Sequence, residues 1–265
     1  MIADGFIGMF DSGLGGLSVL RDVRAALPSE DILYYADSAY CPYGERDDAE
    51  IIARSALITG ALIERGAKIV IVACNTATSV ALMTLRASTT VPIIGLVPAV
   101  KPAVATSPGG RVGVLATPRT VEGRMLADLI AEHRGETHVM TVPAPGLADL
   151  VESGHVSGLL VDGLLRPLLA PLTEARIDTL VLGCTHYPFL RVTLGTHLGR
   201  GVRITDSGEA IARRAASVLA EMGAGRPRDA PAGSTRLLTS GDPDHVGTVA
   251  ARLLGQALAV ERLAL

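Results

Sequence analysis

The sequence predicts an α/β fold built from two similar halves, and three observations lead to this prediction. Hydrophobic residues make up 48% of the 265 residues and charged residues 19%, a balance typical of parallel sheets covered by helices on both faces. Two apolar runs each end in a cysteine that a helix-starting sequence follows. A shorter apolar strand near the start of the chain also has a counterpart in the middle of the chain.

The first apolar run extends from Ile69 to Thr78 and reads Ile-Val-Ile-Val-Ala-Cys-Asn-Thr-Ala-Thr. Its unbroken β-branched sequence is typical of a parallel strand buried on both faces. Cys74 ends the run, and Asn75 and Thr76 are residue types that cap helices, so we expect the thiol where a strand meets a helix amino end. Backbone N–H groups and the helix dipole stabilise an anion there, which predicts a Cys74 pKa below the free value of about 8.5.

The second run, from Thr179 to Tyr187, repeats this arrangement around Cys184 and adds Pro188 as a first-turn helix residue. An isolated cysteine is more often a buried structural residue, but two strand-Cys-Thr-helix units in one chain favour a functional role. Each half would then present one thiol at the carboxyl edge of its sheet, where ligands bind in such folds.

The first half opens with a strand at Phe6 to Phe10 and a glycine-rich turn that leads into a helix near Leu17. A dinucleotide fingerprint needs a third glycine where Ser18 stands, so a Rossmann cofactor site is not supported. Asp11 ends the first strand at the same edge as Cys74. The residues leave two interpretations open for Asp11, a helix cap or a catalytic helper.

The segment between the second strand and the Cys74 strand contains a loop and an amphipathic helix. Pro42-Tyr43-Gly44 has turn chemistry, and its aromatic ring could close over a ligand, although most such loops are connectors. Cys41 precedes this turn and is interpreted as a bystander. The predicted elements are a strand at Asp31 to Tyr35, a helix at Asp48 to Arg65 and, after the Cys74 unit, a strand at Thr90 to Leu96.

The second half repeats the first from Arg111, because Val112 to Thr117 matches Ile7 to Ser12. Only the first half keeps a carboxylate, since Ala116 stands where Asp11 does. Val97 to Pro102 is interpreted as the crossing between the halves. Further elements are helices at Val121 to Glu132, Val156 to Leu169, Glu209 to Met222 and Pro243 to Leu254, strands at Thr137 to Val142, Val202 to Thr205 and Arg236 to Thr239, and a short helix within Pro143 to Gly154.

These patterns predict two doubly wound parallel-sheet domains of flavodoxin-like type. The first would contain residues 1–98 plus 208–265, with the tail packing back on the first half, and the second would contain residues 99–207. We expect the two domains to face each other with pseudo-twofold symmetry, with the site between them.

Composition excludes several functional classes. The net charge is −3 and the arginines are scattered, so nucleic acid is not an expected partner. Three cysteines without a CxxC pair or a Cys/His cluster argue against a zinc site or a disulfide framework. The absence of a bilayer-length apolar run and of a signal-peptide pattern predicts a cytoplasmic protein without a membrane partner.

Four separated motifs occur in chain order: Phe10-Asp11-Ser12-Gly13-Leu14-Gly15-Gly16-Leu17-Ser18, Pro42-Tyr43-Gly44, Ala73-Cys74-Asn75-Thr76-Ala77 and Leu182-Gly183-Cys184-Thr185-His186-Tyr187-Pro188. Together they resemble the cofactor-independent aspartate/glutamate racemase family, and in particular its glutamate racemases. The resemblance runs along essentially the whole chain. It implies an isomerase that supplies D-glutamate for peptidoglycan, uses no cofactor or metal, and forms a homodimer.

The resemblance also implies a role for each matching residue. Cys74 and Cys184 would act as the two bases, Asp11 would tune Cys74, and His186 with Glu152 behind it would tune Cys184. Thr117 and Thr120 would bind the α-carboxylate or the amine. The substrate-contacting positions would be Asp11, Ser12, Pro42, Tyr43, Gly44, Asn75, Thr76, Thr185 and His186.

The chemistry of the residues agrees with this implication. Inverting a stereocentre through a planar carbanion requires a proton to leave from one face and another to arrive on the opposite face, so one base on each side is the minimal apparatus. Glutamate's α-hydrogen is far less acidic than a thiol. Preorganised donors must therefore stabilise the developing negative charge.

Three alternatives are considered. A pyridoxal-phosphate racemase needs a Schiff-base lysine, but Lys68 precedes the Cys74 strand at the wrong end of the sheet and Lys101 lies near no phosphate-binding motif. A related enzyme acting on aspartate, hydantoins or maleate is the nearest alternative, and a non-catalytic protein that binds a small dicarboxylate is the alternative from another class.

Overall fold

Two parallel β-sheets organise the structure, a computed structural model that describes residues 5–265. The chain divides into two units, each with its own sheet. One unit ends its first segment at Leu96 and resumes at Gly208–Leu265, and the other unit is Val97–Ser207. Within residues 5–265 no helix combines the length and the apolar character needed to cross a bilayer.

The first segment alternates strands and helices, and two short 3₁₀ helices, Ser38–Tyr40 and Tyr43–Glu45, follow its second strand. Its elements are β1 (Phe6–Asp11), α1 (Leu17–Ala26), β2 (Ile32–Ala36), α2 (Asp48–Glu64), β3 (Ala67–Val72), α3 (Asn75–Ser88) and β4 (Ile93–Gly95). All six residues of β3 are buried, which explains why this strand reads as a continuous apolar run.

The second unit also alternates helices and strands, and the chain then returns to the first unit. The second unit contains α4 (Val100–Thr106), β5 (Arg111–Ala116), α5 (Pro118–Glu122), α6 (Arg124–His133), β6 (His138–Pro143), α7 (Leu147–Glu152), α8 (Leu159–Glu174), β7 (Thr179–Leu182), a 3₁₀ helix (Tyr187–Leu190), α9 (Arg191–Leu198) and β8 (Arg203–Thr205). The returning segment contains α10 (Gly208–Glu221), β9 (Thr235–Thr239), α11 (Pro243–Leu254) and β10 (Val260–Arg262).

The strand order confirms the prediction of an α/β fold with two parallel sheets. The first sheet has the order β10-β9-β2-β1-β3-β4 and the second has the order β6-β5-β7-β8. In each unit the first strand lies between the second and third, and the fourth follows the third, which is the flavodoxin-like arrangement. The returning segment extends the first sheet, because β9 pairs with β2 from Ile32↔Thr235 to Ala36↔Thr239. Helix α10 packs against α1 in the same unit.

Several predicted boundaries are wrong for identifiable physical reasons. The helix predicted at Val121 to Glu132 is two helices, because Gly123 has an extended conformation that ends α5 and caps α6. The crossing predicted at Val97 to Pro102 already contains the start of α4, whose Val100 and Ala103 pack with β5 residues in the core of the second unit. Strand β10 escaped prediction, since two of its three residues are exposed.

A buried ion pair lies at the amino end of the first sheet, at the opposite end of β3 from Cys74. Lys68 Nζ is 2.6 Å from Glu30 Oε2 and donates a hydrogen bond of 2.8 Å to the Ala224 carbonyl. Glu30 Oε1 in turn accepts from the Arg226 N–H at 2.7 Å. The pair therefore anchors the chain that follows α10 to the amino end of β3.

Removing one partner of this pair should destabilise the fold strongly. We expect Lys68→Met to lower the free energy of unfolding by about 3–5 kcal/mol, because it leaves the Glu30 carboxylate buried without its cation. Arg213→Gln, which removes an exposed pair with Glu209, should cost less than about 1 kcal/mol. Urea unfolding measures the free energy of unfolding of both variants. An equally small decrease in the two variants would contradict a stabilising role for the pair of Lys68 and Glu30.

Candidate active site

The first thiol is itself the cap of the helix that follows it. Cys74 lies between β3 and α3 in an extended conformation, and its Sγ accepts a hydrogen bond from the Ala77 N–H at 3.5 Å. The sequence had suggested Asn75 and Thr76 as caps, but the helix already begins at Asn75. The sulfur therefore lies directly at the amino end of α3, as its position in the sequence predicted.

Asp11 lies beside this thiol and organises the turn that leads into α1. Its Oδ1 accepts from the Ser12 N–H at 2.7 Å and its Oδ2 accepts from the Gly16 N–H at 2.6 Å. Ser12 Oγ lies 3.9 Å from Cys74 Sγ. A Cβ at Gly16 would lie 2.6 Å from the Tyr34 hydroxyl, so the turn approaches β2 as closely as only a glycine allows. The cap interpretation of Asp11 is therefore wrong, because Gly16 caps α1 and no side chain in the described part of the chain caps that helix; Asp11 instead orders the turn before α1 and lies next to Cys74.

The electrostatic surroundings keep Cys74 protonated. Burial raises the pKa of the Cys74 thiol well above its usual value, and the negative charge of Asp11 raises it further. The N–H groups of Ala77 and Ser12 act in the opposite direction but do not compensate. The thiolate that the sequence predicted for Cys74 is therefore wrong for the protein without substrate, because desolvation and a neighbouring carboxylate outweigh the helix end.

The second thiol has different partners. Cys184 Sγ lies 3.5 Å from His186 Nδ1, and His186 Nε2 lies 2.5 Å from Glu152 Oε1 at the end of α7. A thiol, an imidazole and a carboxylate therefore form one chain, and all three belong to the second unit. The carboxylate orients the imidazole and stabilises a positive charge on it, so the imidazole can exchange a proton with the sulfur.

The structure around Cys184 departs from the predicted strand-Cys-helix repeat. A 3₁₀ helix, not an α-helix, follows the cysteine, with Pro188 in its first turn and His186 at its cap. The buried Tyr187 donates a hydrogen bond of 3.1 Å to the Ala144 carbonyl, and burial together with neighbouring Cys184 raises the pKa of its hydroxyl. Tyr187 is thus a neutral, buried neighbour of the second thiol that the sequence identified only as part of a motif.

The aromatic residue of the Pro42-Tyr43-Gly44 turn has a structural role that the sequence did not predict. The Tyr43 side chain is buried in the same apolar cluster as Cys74, and its hydroxyl donates to Asp37 Oδ2 at 2.6 Å. The Tyr43 ring is thus packed in the core of the first unit, and its contact with a ligand, one of the two possibilities that the sequence left open, stays a prediction. Pro42 and Gly44 are partly exposed.

The remaining predicted contact residues differ in how their polar atoms are used. Asn75 is buried, and within the described part of the chain its Oδ1 has no hydrogen-bond partner. Thr76 and Thr185 are also buried. Thr117 and Thr120 bond to each other, with 2.9 Å between their hydroxyl oxygens and 3.3 Å between the Thr120 nitrogen and Thr117 Oγ1. Thr117 thereby caps α5.

Comparison with known proteins agrees with the motifs. A family model described as Asp/Glu/Hydantoin racemase matches residues 12–215. Two curated relatives are the glutamate racemase of Herpetosiphon aurantiacus, 46% identical over 92% of this chain and 95% of the relative, and that of Deinococcus radiodurans, 49% identical over 91% of this chain and 83% of the relative.

Solved structures give the same result. The glutamate racemase isoform RacE1 of Bacillus anthracis superposes with a TM-score of 0.88 at 32% identity, over 98% of both chains. Escherichia coli glutamate racemase, solved in complex with L-glutamate and the activator UDP-MurNAc-ala, superposes with a TM-score of 0.86 at 33% identity, again over 98% of both chains.

Removing the charge of Asp11 should make Cys74 more acidic. In a chain with Cys41 and Cys184 replaced by serine, we expect Asp11→Asn to lower the Cys74 pKa, because the amide keeps an acceptor oxygen but carries no charge. The rate of alkylation by iodoacetamide, measured against pH, reports the thiolate fraction. Its midpoint should move to lower pH.

The matched control is Asp48→Asn, which neutralises an exposed carboxylate at the start of α2 in the same unit. It should leave the alkylation midpoint unchanged. An unchanged midpoint in Asp11→Asn would show that the carboxylate does not act on the thiol.

Proposed function

The chain belongs to the Asp/Glu/hydantoin racemase family, and from this premise we propose that it interconverts L-glutamate and D-glutamate without a cofactor. The observation that carries the proposal is a buried thiol at the carboxyl end of each unit's third strand, each beside its own proton-handling partners. Identities of 42–49% with curated glutamate racemases support glutamate as the substrate. The D-glutamate formed would serve peptidoglycan synthesis.

The proposed reaction uses both thiols as acid and base. One sulfur, as thiolate, removes the Cα proton, and the electron pair of the broken C–H bond moves into the substrate carboxylate. The other sulfur, as thiol, donates its proton to the opposite face of Cα, so the two sulfurs exchange protonation states. No oxidant, metal or carbonyl cofactor enters the balance. The proposal requires that the two units, as two domains, bind one glutamate between them.

The surroundings of the two thiols suit different starting states. Asp11 and burial favour a neutral Cys74, so in the resting protein Cys74 would be the proton donor. Cys184 would then be the base, because His186 lies 3.5 Å away and its imidazole, held by Glu152, can take up the thiol proton. Two thiols with unlike surroundings suit a two-base racemisation, in which one sulfur gives a proton while the other takes one.

The polar groups near Cys74 suit an amino acid. The unpartnered Oδ1 of Asn75 is an acceptor of the kind that a substrate ammonium needs. The amino end of α3 at Thr76 provides backbone donors and a positive potential that suit a carboxylate. We also assign substrate contacts to the residues that match the family motifs, namely Asp11, Ser12, Pro42, Tyr43, Gly44, Thr117, Thr120, Thr185 and His186.

Location and assembly complete the proposal. Catalysis by two free thiols requires that they stay reduced, which favours the cytoplasm. A homodimer is the assembly that the family resemblance implies.

Serine at either thiol position should abolish most of the activity. We expect Cys74→Ser and Cys184→Ser each to reduce interconversion by about 10²–10⁴-fold, because a serine hydroxyl is a much weaker acid than a thiol, so it donates its proton poorly and scarcely forms the anion that would act as the base. Thr84→Ser, a small change at an exposed position of α3, is the control and should keep the activity. Chiral chromatography of glutamate incubated with metal-free and pyridoxal-free protein measures the rates. Full activity in either of the first two variants would exclude the two-thiol reaction.

Deuterium incorporation separates the candidate functions. In deuterated water, we expect the enantiomer formed from L-glutamate to carry deuterium at Cα, because its new proton comes from a thiol that exchanges with solvent. A dicarboxylate-binding protein would cause no exchange at Cα. An enzyme specific for aspartate would label L-aspartate and leave L-glutamate unlabelled. Proton NMR of the two amino acids after incubation distinguishes these results.

A further inference from the structure

A fully buried ion pair lies just outside the motifs that define the family resemblance. Asp37, which follows β2, has no solvent-exposed surface, and Arg54 on α2 is 7% exposed. Arg54 Nη2 and Nε donate to Asp37 Oδ1 and Oδ2 at 2.7 and 3.0 Å, in the bidentate geometry of strong charge-assisted bonds. Arg54 therefore occupies the core-facing side of α2, with Ile51 and Ile58, where an apolar residue is the rule.

The same carboxylate also holds the turn that contains Pro42 and Gly44. Asp37 Oδ2 accepts a hydrogen bond of 2.6 Å from the Tyr43 hydroxyl. Burial and the charge of Asp37 raise the pKa of Tyr43, so the hydroxyl stays protonated and remains a donor. The Asp37 main chain is fixed as well, because its N–H donates to the Asp11 carbonyl at 3.0 Å.

Arg54 connects this group to two further segments. Its guanidinium carbon lies 3.9 Å from the centre of the Tyr40 ring, within cation–π range. Its Nη1 donates to the Leu265 main-chain oxygen at 2.6 Å. Arg54 thereby contacts both the segment before the Tyr43 turn, through Tyr40, and the segment after β10, through Leu265.

The turn that is held in this way lies next to Cys74. The 3₁₀ helix at Tyr43–Glu45 packs against α3, which Cys74 caps. Tyr43 and Cys74 share one apolar cluster with Phe10 and Val72. A shift of the Tyr43 side chain would therefore move the main chain at Pro42 and Gly44 relative to the thiol.

We propose that Asp37 and Arg54 are positioning residues, which act through the Tyr43 hydroxyl to hold the main chain of Pro42–Gly44 in the place where it contacts the substrate. The inference rests on the proposed function, because only there does this turn touch glutamate. An ion pair needed only for stability could be placed anywhere in the core. The pair of Asp37 and Arg54 instead holds the hydroxyl of Tyr43, which is the buried side chain of the turn.

The decisive variant is Tyr43→Phe, which removes only the hydroxyl and keeps the packed ring. We expect the KM for glutamate to rise about tenfold with a much smaller change in kcat, because a displaced contact loop weakens binding while both thiols remain in place. The double variant Asp37→Asn with Arg54→Met, which leaves no buried charge unpaired, should raise KM similarly. Adding Tyr43→Phe to it should cause no further increase, because all three residues act through one link.

Two controls separate positioning from general stability. Lys68→Met breaks a buried ion pair in the same unit at the far end of the sheet and should lose stability with KM unchanged. Hydrogen exchange of the peptide covering residues 41–46 reports the loop directly, without activity. It should accelerate in Tyr43→Phe and in the double variant, but not in Lys68→Met.

Hydrogen exchange tests the link between Asp37, Arg54 and Tyr43 even if the protein does not racemise glutamate. If the unmodified chain does not racemise glutamate, but residues 41–46 exchange faster in Tyr43→Phe and in the double variant than in the unmodified chain, the link stands and only the assigned reaction is refuted. Unchanged exchange in folded Tyr43→Phe would overturn the link. In an active enzyme, an unchanged KM, strictly additive effects on KM, or an equal rise of KM in Lys68→Met would overturn the positioning role.

Discussion

Burial of the Cys74 thiol, reinforced by the negative charge of Asp11 beside it, is the constraint on which the proposed chemistry depends. Asp11 ends the central strand of the first sheet and Cys74 follows the neighbouring strand, so parallel pairing brings the two acidic groups together. The carboxylate is already stabilised by the N–H groups of Ser12 and Gly16. Burial and this carboxylate together raise the pKa of the thiol, although the thiol lies at the amino end of α3.

The two thiols have different neighbours, although each follows the third strand of its unit. In the first unit burial and a carboxylate oppose ionisation of the sulfur, whereas in the second unit the sulfur lies beside an imidazole that Glu152 holds. The difference begins with one substitution in the internal repeat, because Ala116 occupies the position of Asp11. It continues in the local structure, since a 3₁₀ helix after His186 turns that ring back towards Cys184. A similar fold thus supports two unlike thiols.

The first unit contains two buried ion pairs, which lie at opposite ends of its sheet. The pair of Lys68 and Glu30 lies at the amino end of the sheet, where it anchors a connecting segment. The pair of Asp37 and Arg54 lies at the carboxyl end, where it holds the Tyr43 turn next to Cys74. Because both pairs are desolvated, removing one partner of either pair should strongly destabilise the fold. Of the two pairs, the pair of Asp37 and Arg54 is the one bonded to the turn that packs beside Cys74.

The sequence by itself determined the fold class, the two sheets and the thiols at their carboxyl edges, because the apolar runs and the residues after them are local patterns with a direct physical meaning. It also singled out Asp11 and His186 through the motifs, and Glu152 through the family resemblance. It could not determine that Cys74 is protonated, since burial and the distance to a carboxylate depend on strands that are remote in the chain. Local residue types alone favoured the opposite charge state.

The roles of Tyr43 and Arg54 likewise needed the tertiary structure. An arginine on the apolar stripe of α2 was a visible signal of a buried ion pair, but only the packing of α2 against the end of β2 identified Asp37 as its partner. The turn chemistry of Pro42-Tyr43-Gly44 was correctly recognised, whereas the sequence left open whether its aromatic ring faces a ligand or the core. Side chains in turns take their direction from the core beneath them, and that core is assembled by contacts between segments that the local sequence does not encode.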